Sequence, residues 1–338
     1  MKPLNKKLYG LLSGLAICFA VMLSSCDRLH EDLEPCPSGV RLRFVYDYNM
    51  EFANAFPSQV DCLTLLIYDK EGNYLRTEIA SAPMISDENW RMTLDLPSGE
   101  YRLLAYGGME CEQSSFSFIP LPEKTSEQGL EVAVKPEYLS PNNDKPMHNL
   151  FYGALSLSIP PAGNGTTYTE ATVEMIKDTN DIRILLGNER GLDTDADDFE
   201  FTITDNNSIL NSANLPASDD MVTYYPWHQG TVMAGFDDEG RDVRMAVADL
   251  CTSRLMVRSG AKLLVKRISD GKEIVRLPLV NVLLLLRSER FRDMKPQEFL
   301  DRQSRWNLTF FLTGEGEWLK TEIKINEWIV RINNIEEW

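Results

Sequence analysis

Apolar side chains recur at every second position in short runs all along this chain, and that period limits what it can fold into. In VRLRFVYDY, Val40, Leu42, Phe44, Tyr46 and Tyr48 fall on one side, while Arg41, Arg43 and Asp47 fall on the other. Successive side chains of a strand point to opposite faces, so this is the pattern of a half-buried strand. CLTLLIYD follows, DKEGN offers Gly72 for a turn with positive φ, and YLRTEIA returns as the second arm of a hairpin. WRMTLDL, YRLLAYGG, SFSFIPL, LEVAVKP and LFYGALSLSI continue the series as far as PPAGNGT, residues 160–166. Beyond it, TYTEATVEMI, NDIRILL, DFEFTIT, TVMAGF, VRMAVADL, SRLMVRSG, EIVRLPLV and WNLTFFLTG repeat the style.

Many short β-branched or aromatic runs broken by turn residues predict an all-β fold, a sandwich or Greek-key assembly. The Pro- and Gly-containing stretch at 160–166 reads as a linker between an N-terminal unit, residues 39–160, and a C-terminal unit, residues 161–338. One minor helix is expected near residues 296–306, where QEFLDRQSRW spaces Phe299, Leu300, Gln303 and Trp306 at helical intervals. VLLLLRSERF fits a buried strand or a short helix equally well. The closing LKTEIKINEWIVRI reads as one last strand, apolar on both sides near its end.

The first 25 residues stand outside this pattern. Lys2, Lys6 and Lys7 precede an apolar stretch from Leu8 to Leu23, the layout of an export signal. Its uninterrupted apolar core is short against the roughly 20 residues a bilayer-spanning helix needs. Leu23-Ser24-Ser25-Cys26 resembles the lipobox of bacterial lipoproteins, in which the cysteine thiol takes a diacylglycerol before cleavage. On this reading residues 1–25 are a lipoprotein signal peptide, Cys26 is the lipid attachment point, and 26–38 form a polar tether. Each buried methylene contributes about 0.8 kcal/mol, so three chains on Cys26 hold a protein essentially permanently at a membrane.

Without the signal, 31 Lys and Arg face 51 Asp and Glu, spread along the whole chain. Such a field repels nucleic acid and anionic surfaces, so a nucleic-acid partner is not expected. Besides Cys26, four exported cysteines remain: Cys36, Cys62, Cys111 and Cys251. Four allow three pairings, and the sequence does not choose between them. Cys36 and Cys62 flank neighbouring strand candidates and are the pair put forward for a disulfide, with buried free thiols as the alternative.

Local signs of catalysis are missing. Neither HExxH, GxSxG nor a phosphate-binding Gly loop occurs, and His30, His148 and His228 have no ligand partner nearby in sequence. Asp193, Asp195 and Asp197 in DTDADDFE stand two apart, but Asp198 and Thr204 occupy positions where an EF-hand needs glycine and glutamate. No enzyme, cofactor or metal is therefore expected. Tyr224, Tyr225 and Trp227 in TYYPWHQG are a candidate ligand or packing cluster, because flat rings with polar edges can stack on sugars and can equally plug a sandwich end.

Several pieces occur in one order: the Cys26 box, CPSG, VRLRFVYDYNM, CLTLLIYDKEGNYL, LPSGEYRLLAYGG, HNLFYGALSL and a closing INEW. Together they resemble the FimB/Mfa2 family, the anchor subunits of Bacteroidales type V fimbriae, although Glu327 stands where that family's closing turn has glycine. The resemblance implies two transthyretin-like Greek-key β-sandwich domains in tandem on an outer-membrane, surface-exposed lipoprotein. It also implies fimbrillin stalk subunits as partners, non-covalent strand-edge contact, a part in limiting filament length, and no catalytic residues. A cell-surface glycan-binding lipoprotein is the competing expectation.

Overall fold

The computed structural model describes residues 39–331, apart from 110, 112, 162–167, 237–239, 288–290, 314, 319–321 and 327. The signal, Cys26 with its box, the tether and Cys36 lie outside the described residues.

The alternating runs become strands, and the chain is all-β. The largest sheet runs in the order β3 (Tyr74–Ser81), β2 (Cys62–Asp69), β5 (Gly99–Gly107), β8 (Phe151–Ile159), β9 (Tyr168–Lys177), β1 (Gly39–Val45), β4 (Met92–Leu94). A second sheet runs β14 (His228–Phe236), β15 (Asp242–Ser253), β10 (Thr179–Asn188), β18 (Arg305–Leu312), β19 (Glu322–Ile325), β20 (Trp328–Arg331). A third is β13 (Val222–Tyr224), β11 (Phe199–Asp205), β16 (Lys262–Arg267), β17 (Glu273–Pro278), and the smallest is β12 (Ile209–Asn211), β7 (Glu131–Val134), β6 (Phe116–Ile119). Among the described residues three short α-helices punctuate them: α1 (Phe56–Gln59), α2 (Leu279–Leu284) and α3 (Pro296–Arg302).

The two large sheets share a device. β1 pairs in parallel with β9, and β10 pairs in parallel with β18. All other strand pairs among the described residues are antiparallel.

Burial follows the alternation where one face is wet and abandons it where both are dry. In β1, Val40, Leu42 and Phe44 are buried while Arg41 and Arg43 are exposed. In β2, CLTLLIYD is buried on both faces, which is why it reads as an unbroken apolar run. Leu63, Leu65 and Ile67 face a core closed by Phe56 of α1 and by Ile85. Leu66 and Tyr68 face the opposite way, into a cluster that includes Phe118 and Val132 and runs on through Ile184, Phe201, Trp306 and Phe310.

The halves are stitched together. β12, from the C-terminal half, adds to β7 of the N-terminal half, with Ile209 opposite Ala133 and Leu210 opposite Val132. Beside it Tyr152 donates its hydroxyl hydrogen to the Ser212 carbonyl at 2.7 Å.

Several expectations change. The chain passes from the first large sheet to the second at Asp178, between β9 and β10, so β9 belongs with the first sheet although it follows the 160–166 stretch. SRLMVRSG contributes only Ser253 to a strand. Its pairing ends because the Arg254 guanidinium turns inward to Asp301 and the Asn207 side chain takes the Ser253 and Arg254 carbonyls at 3.1 and 2.9 Å. The following KLLVKR is the strand instead. The expected helix stops at Arg302, because from Trp306 onward every second side chain is buried, and a period of two overrides the helical spacing. The closing run is a hairpin, not one strand: Ile325 pairs with Trp328, and Asn326 takes φ of 52°. Asparagine tolerates that left-handed conformation better than most residues, which lets the chain reverse there.

Candidate partner-binding edges and cleft

Strands present backbone donors and acceptors along both sides, so a sheet ends in a row of unpaired groups that another chain can complete. β3 is such an edge. It pairs with β2 through Cys62–Ser81 to Tyr68–Tyr74, and its outer side carries no strand among the described residues. Arg76 and Glu78 pair on one face at 2.8 Å, while Leu75 is 46% and Ile79 59% exposed. The turn at Pro122–Lys124 lies against β3 and is reached from β6 through Ile119 and Leu121, both also exposed. An eight-residue strand therefore offers open backbone bordered by aliphatic side chains.

β14 is the comparable edge of the second large sheet, with exposed Val232 and Met233. Its register breaks between Met233 and Gly235. The chain at 195–199 also covers part of it, since Gln229 donates to the Ala196 and Phe199 carbonyls at 2.7 and 3.0 Å. A bulge and a covering loop are both ways of protecting an edge. β3 carries both devices too, a register irregularity opposite Ile67 and Tyr68 and the turns at Met84–Ser86 and Pro122–Lys124 lying against it, so the two edges differ in the side chains they expose, Leu75 and Ile79 on β3 and Val232 and Met233 on β14.

The residues singled out in the sequence end in different places. Tyr224 is a packing residue: it is buried, its hydroxyl donates to Asn207 Oδ1 at 2.6 Å, and burial pushes its pKa well up. Tyr225 and Trp227 are half-buried. Trp227 borders a cleft of about 340 Å³ together with Asp181, Arg183, Asp249, Arg305 and Asn307. There Arg183 forks onto Asp249 at 2.7 and 3.0 Å, and His228 Nδ1 lies 3.1 Å from Oδ2, the oxygen that also accepts from Arg183 Nη2. Asp193 and Asp195 are occupied by their own chain, accepting from the Arg244 N–H and the Thr231 hydroxyl, both at 3.0 Å.

The disulfide is not the one put forward from the sequence. Cys62 bonds to Cys111, with Cα atoms 6.2 Å apart, and not to Cys36. β5 lies next to β2 and delivers Cys111 beside the start of β2, a proximity set by strand order that sequence separation conceals. Cys251 is a buried free thiol, and burial pushes it up to about 12.

Sequence reading also missed the buried ionic cluster between the halves. Asp178 is fully buried and accepts from Asn214 Nδ2 at 2.9 Å, with Arg254 Nε 3.8 Å away. Burial raises the Asp178 pKa to about 7 against the pull of Arg254, and raises Asp205 to about 6. No local signal hints at it, since Asp178 stands in EMIKDTND among other charged and polar residues.

No helix among the described residues is long and apolar enough to cross a membrane. Packed β-sheets with exposed edge strands are surfaces to which another chain can add a strand. The family described as fimbrillin-A associated anchor proteins Mfa1 and Mfa2 matches residues 33–334, and this chain belongs to it. Among solved structures, an adhesin candidate from Bacteroides thetaiotaomicron VPI-5482 is 50% identical, covers 89% of this chain and 100% of its own, and has a TM-score of 0.84. A polysaccharide-binding candidate from the same organism is 30% identical, covers 88% of this chain and 99% of its own, and has a TM-score of 0.74. The fimbrial anchor protein Mfa2 from Porphyromonas gingivalis shares the fold at 17% identity, with a TM-score of 0.65 over 88% of this chain and 99% of its own. Among curated proteins none matches the chain.

Proposed function

We propose that this protein is a lipoprotein of the outer membrane, held through Cys26, that retains a fimbrium at the cell surface and stops its growth by seating a fimbrillin strand on the β3 edge. The observation that carries the reading is that edge itself: an eight-residue strand paired with β2 on its inner side only, with no strand on its outer side among the described residues and Leu75 and Ile79 exposed beside it. Backbone hydrogen bonds along an added strand supply affinity, and aliphatic side chains on alternate positions supply register. A subunit tied to the membrane and offering one such edge accepts a single neighbour, so elongation ends there. Family membership and the lipobox in the sequence support the same account.

The test is a chromosomal deletion paired with a Cys26→Ala variant. Deletion is expected to shed fimbriae into the medium and lengthen them, and Cys26→Ala to release the protein with fimbriae attached. Fimbriae of normal length retained on the deletion strain overturn the proposal.

A second reading rests on the Trp227 cleft. An indole beside Arg183, Asp249 and Asn307 offers a stacking face with polar groups at its rim, the combination that suits a sugar. The relative described as a polysaccharide-binding candidate supports it. Binding of soluble oligosaccharides that is lost in Trp227→Ala supports this reading, and an unchanged null result for both chains removes it.

A further inference from the structure

Side chains far apart in sequence meet at the start of β2. Asp61 precedes Cys62, Cys111 follows β5, and His148 precedes β8. His148 Nε2 lies 3.1 Å from Asp61 Oδ1, and Cys111 Sγ lies 3.9 Å from the same oxygen. One ligand atom from each of Asp61, Cys111 and His148 falls within 4.8 Å of the others, and Cys62 is bonded to Cys111. This is a carboxylate, an imidazole and one sulfur within reach of one another, with the Cys62 sulfur bonded to the third.

We propose that, when the Cys62–Cys111 disulfide is reduced, Cys62, Cys111, His148 and Asp61 bind one zinc ion. The reductant is a dithiol. It gives two electrons and two protons to the Cys62–Cys111 bond, which breaks to two thiols, while the dithiol closes to its own disulfide. Zinc then displaces the two thiol protons to solvent and takes two thiolates, the neutral imidazole and the carboxylate.

The geometry fits that ligand set. Tetrahedral zinc has bonds of roughly 2.3 Å to sulfur and roughly 2.0–2.2 Å to nitrogen or oxygen, so its ligand atoms stand roughly 3.3–3.8 Å apart. The His148–Asp61 and Cys111–Asp61 separations, 3.1 and 3.9 Å, bracket that span. Cα atoms 6.2 Å apart let two thiolates separate by side-chain rotation without moving the backbone.

The frame around the ligands is fixed. Gly108 donates its N–H to the Cys62 carbonyl at 3.0 Å, and the Asp61 carbonyl accepts from Ala82 at 2.8 Å. Gly108 has φ of 84°, and a Cβ there would run into the Asn149 carbonyl, so glycine is what lets this turn lie against the His148 segment. The His148 backbone N–H is held by Ser115 Oγ at 2.7 Å. Asp61 is exposed and Cys62 buried, so an ion enters from the carboxylate side. Zinc would then preserve the tie between β2 and the loop after β5 when the covalent one is lost, which makes the site a redox-exchanged clamp.

The test uses the full chain carrying Cys26→Ser and Cys36→Ser, either oxidised or reduced with a phosphine that is then removed without oxygen. Cobalt(II) is added first, then zinc, and affinity is read by competition with a chromogenic chelator. The reduced chain is expected to take one cobalt with tetrahedral d–d bands and thiolate charge transfer, displaced by one zinc, while the oxidised chain shows neither. His148→Ala and Asp61→Asn are each expected to weaken zinc tenfold or more, with oxidised forms that keep the parent's circular dichroism. A reduced chain with no tetrahedral cobalt spectrum overturns the proposal. So does zinc held equally tightly by both variants, which would mean adventitious binding to thiols alone.

Discussion

Arg254 forks onto Asp301: Nε lies 2.9 Å from Oδ1 and Nη2 2.8 Å from Oδ2, with both side chains nearly out of solvent. The same guanidinium donates to the Asn214 carbonyl and faces Asp178, so one side chain ties α3, the end of β15, the segment after β12 and the junction between the large sheets. The neighbouring Arg302 stacks on the Tyr48 ring at 4.0 Å and donates to the Asp47 carbonyl at 3.1 Å, which brings the N-terminal half into the same contact.

Removing one member of a buried ion pair strands the other. Arg254→Ala is expected to lower stability by about 3–5 kcal/mol, because Asp301 and Asp178 both lose their cation. Replacing Arg254 by Met and Asp301 by Leu together is expected to cost much less. Urea unfolding of the three chains, read by tryptophan fluorescence, checks the order.

Asp178 and Asp205 give stability a pH dependence of unusual sign for carboxylates. Their folded pKa values, about 7 and about 6, lie above the ordinary 3.8, so the folded chain holds protons that the unfolded chain releases. Their contribution is complete below about pH 4 and is lost as pH rises toward 7, by at most about 1.4 kcal/mol per pH unit for each group. Asp178→Asn is expected to flatten this slope. Denaturation midpoints measured from pH 4 to pH 8 decide it, and a slope unchanged by the substitution contradicts the assignment.

The Cys62–Cys111 bond closes a loop with a sequence separation of 49. In the chain-entropy picture such a loop is worth about 4 kcal/mol. The double variant Cys62→Ser, Cys111→Ser is therefore expected to unfold at clearly lower denaturant than the oxidised parent. Cys36→Ser is expected to leave the midpoint where it was, since Cys62 is bonded elsewhere.

Ile79→Lys puts a charge on the β3 edge without touching a buried contact. Folding stability is expected to stay within about 0.5 kcal/mol of the parent. Fimbrillin capture in a pull-down is expected to fall at least tenfold, whereas Met233→Lys on the bulged β14 edge is expected to leave it intact. Equal capture by Ile79→Lys and the parent would remove β3 as the junction.

The alternation in VRLRFVYDY, the Gly72 turn and the unbroken run of β2 were legible because local sequence carries them: the pleat fixes a period of two, and glycine alone takes φ of 82° freely. Strand order is a different kind of fact. Nothing local in SRLMVRSG says that Arg254 leaves the ladder for Asp301, or in TYYPWHQG that Tyr224 is swallowed by the core while Trp227 borders a cleft.

By itself, the sequence determined that this chain is made of strands and turns, and which faces of those strands seek apolar neighbours. The tertiary structure alone decided which edge stays open, which cysteine reaches Cys62, and where one sheet hands over to the next. Those outcomes depend on contacts between segments tens or hundreds of residues apart, made when whole sheets pack, and side-chain periodicity does not encode them.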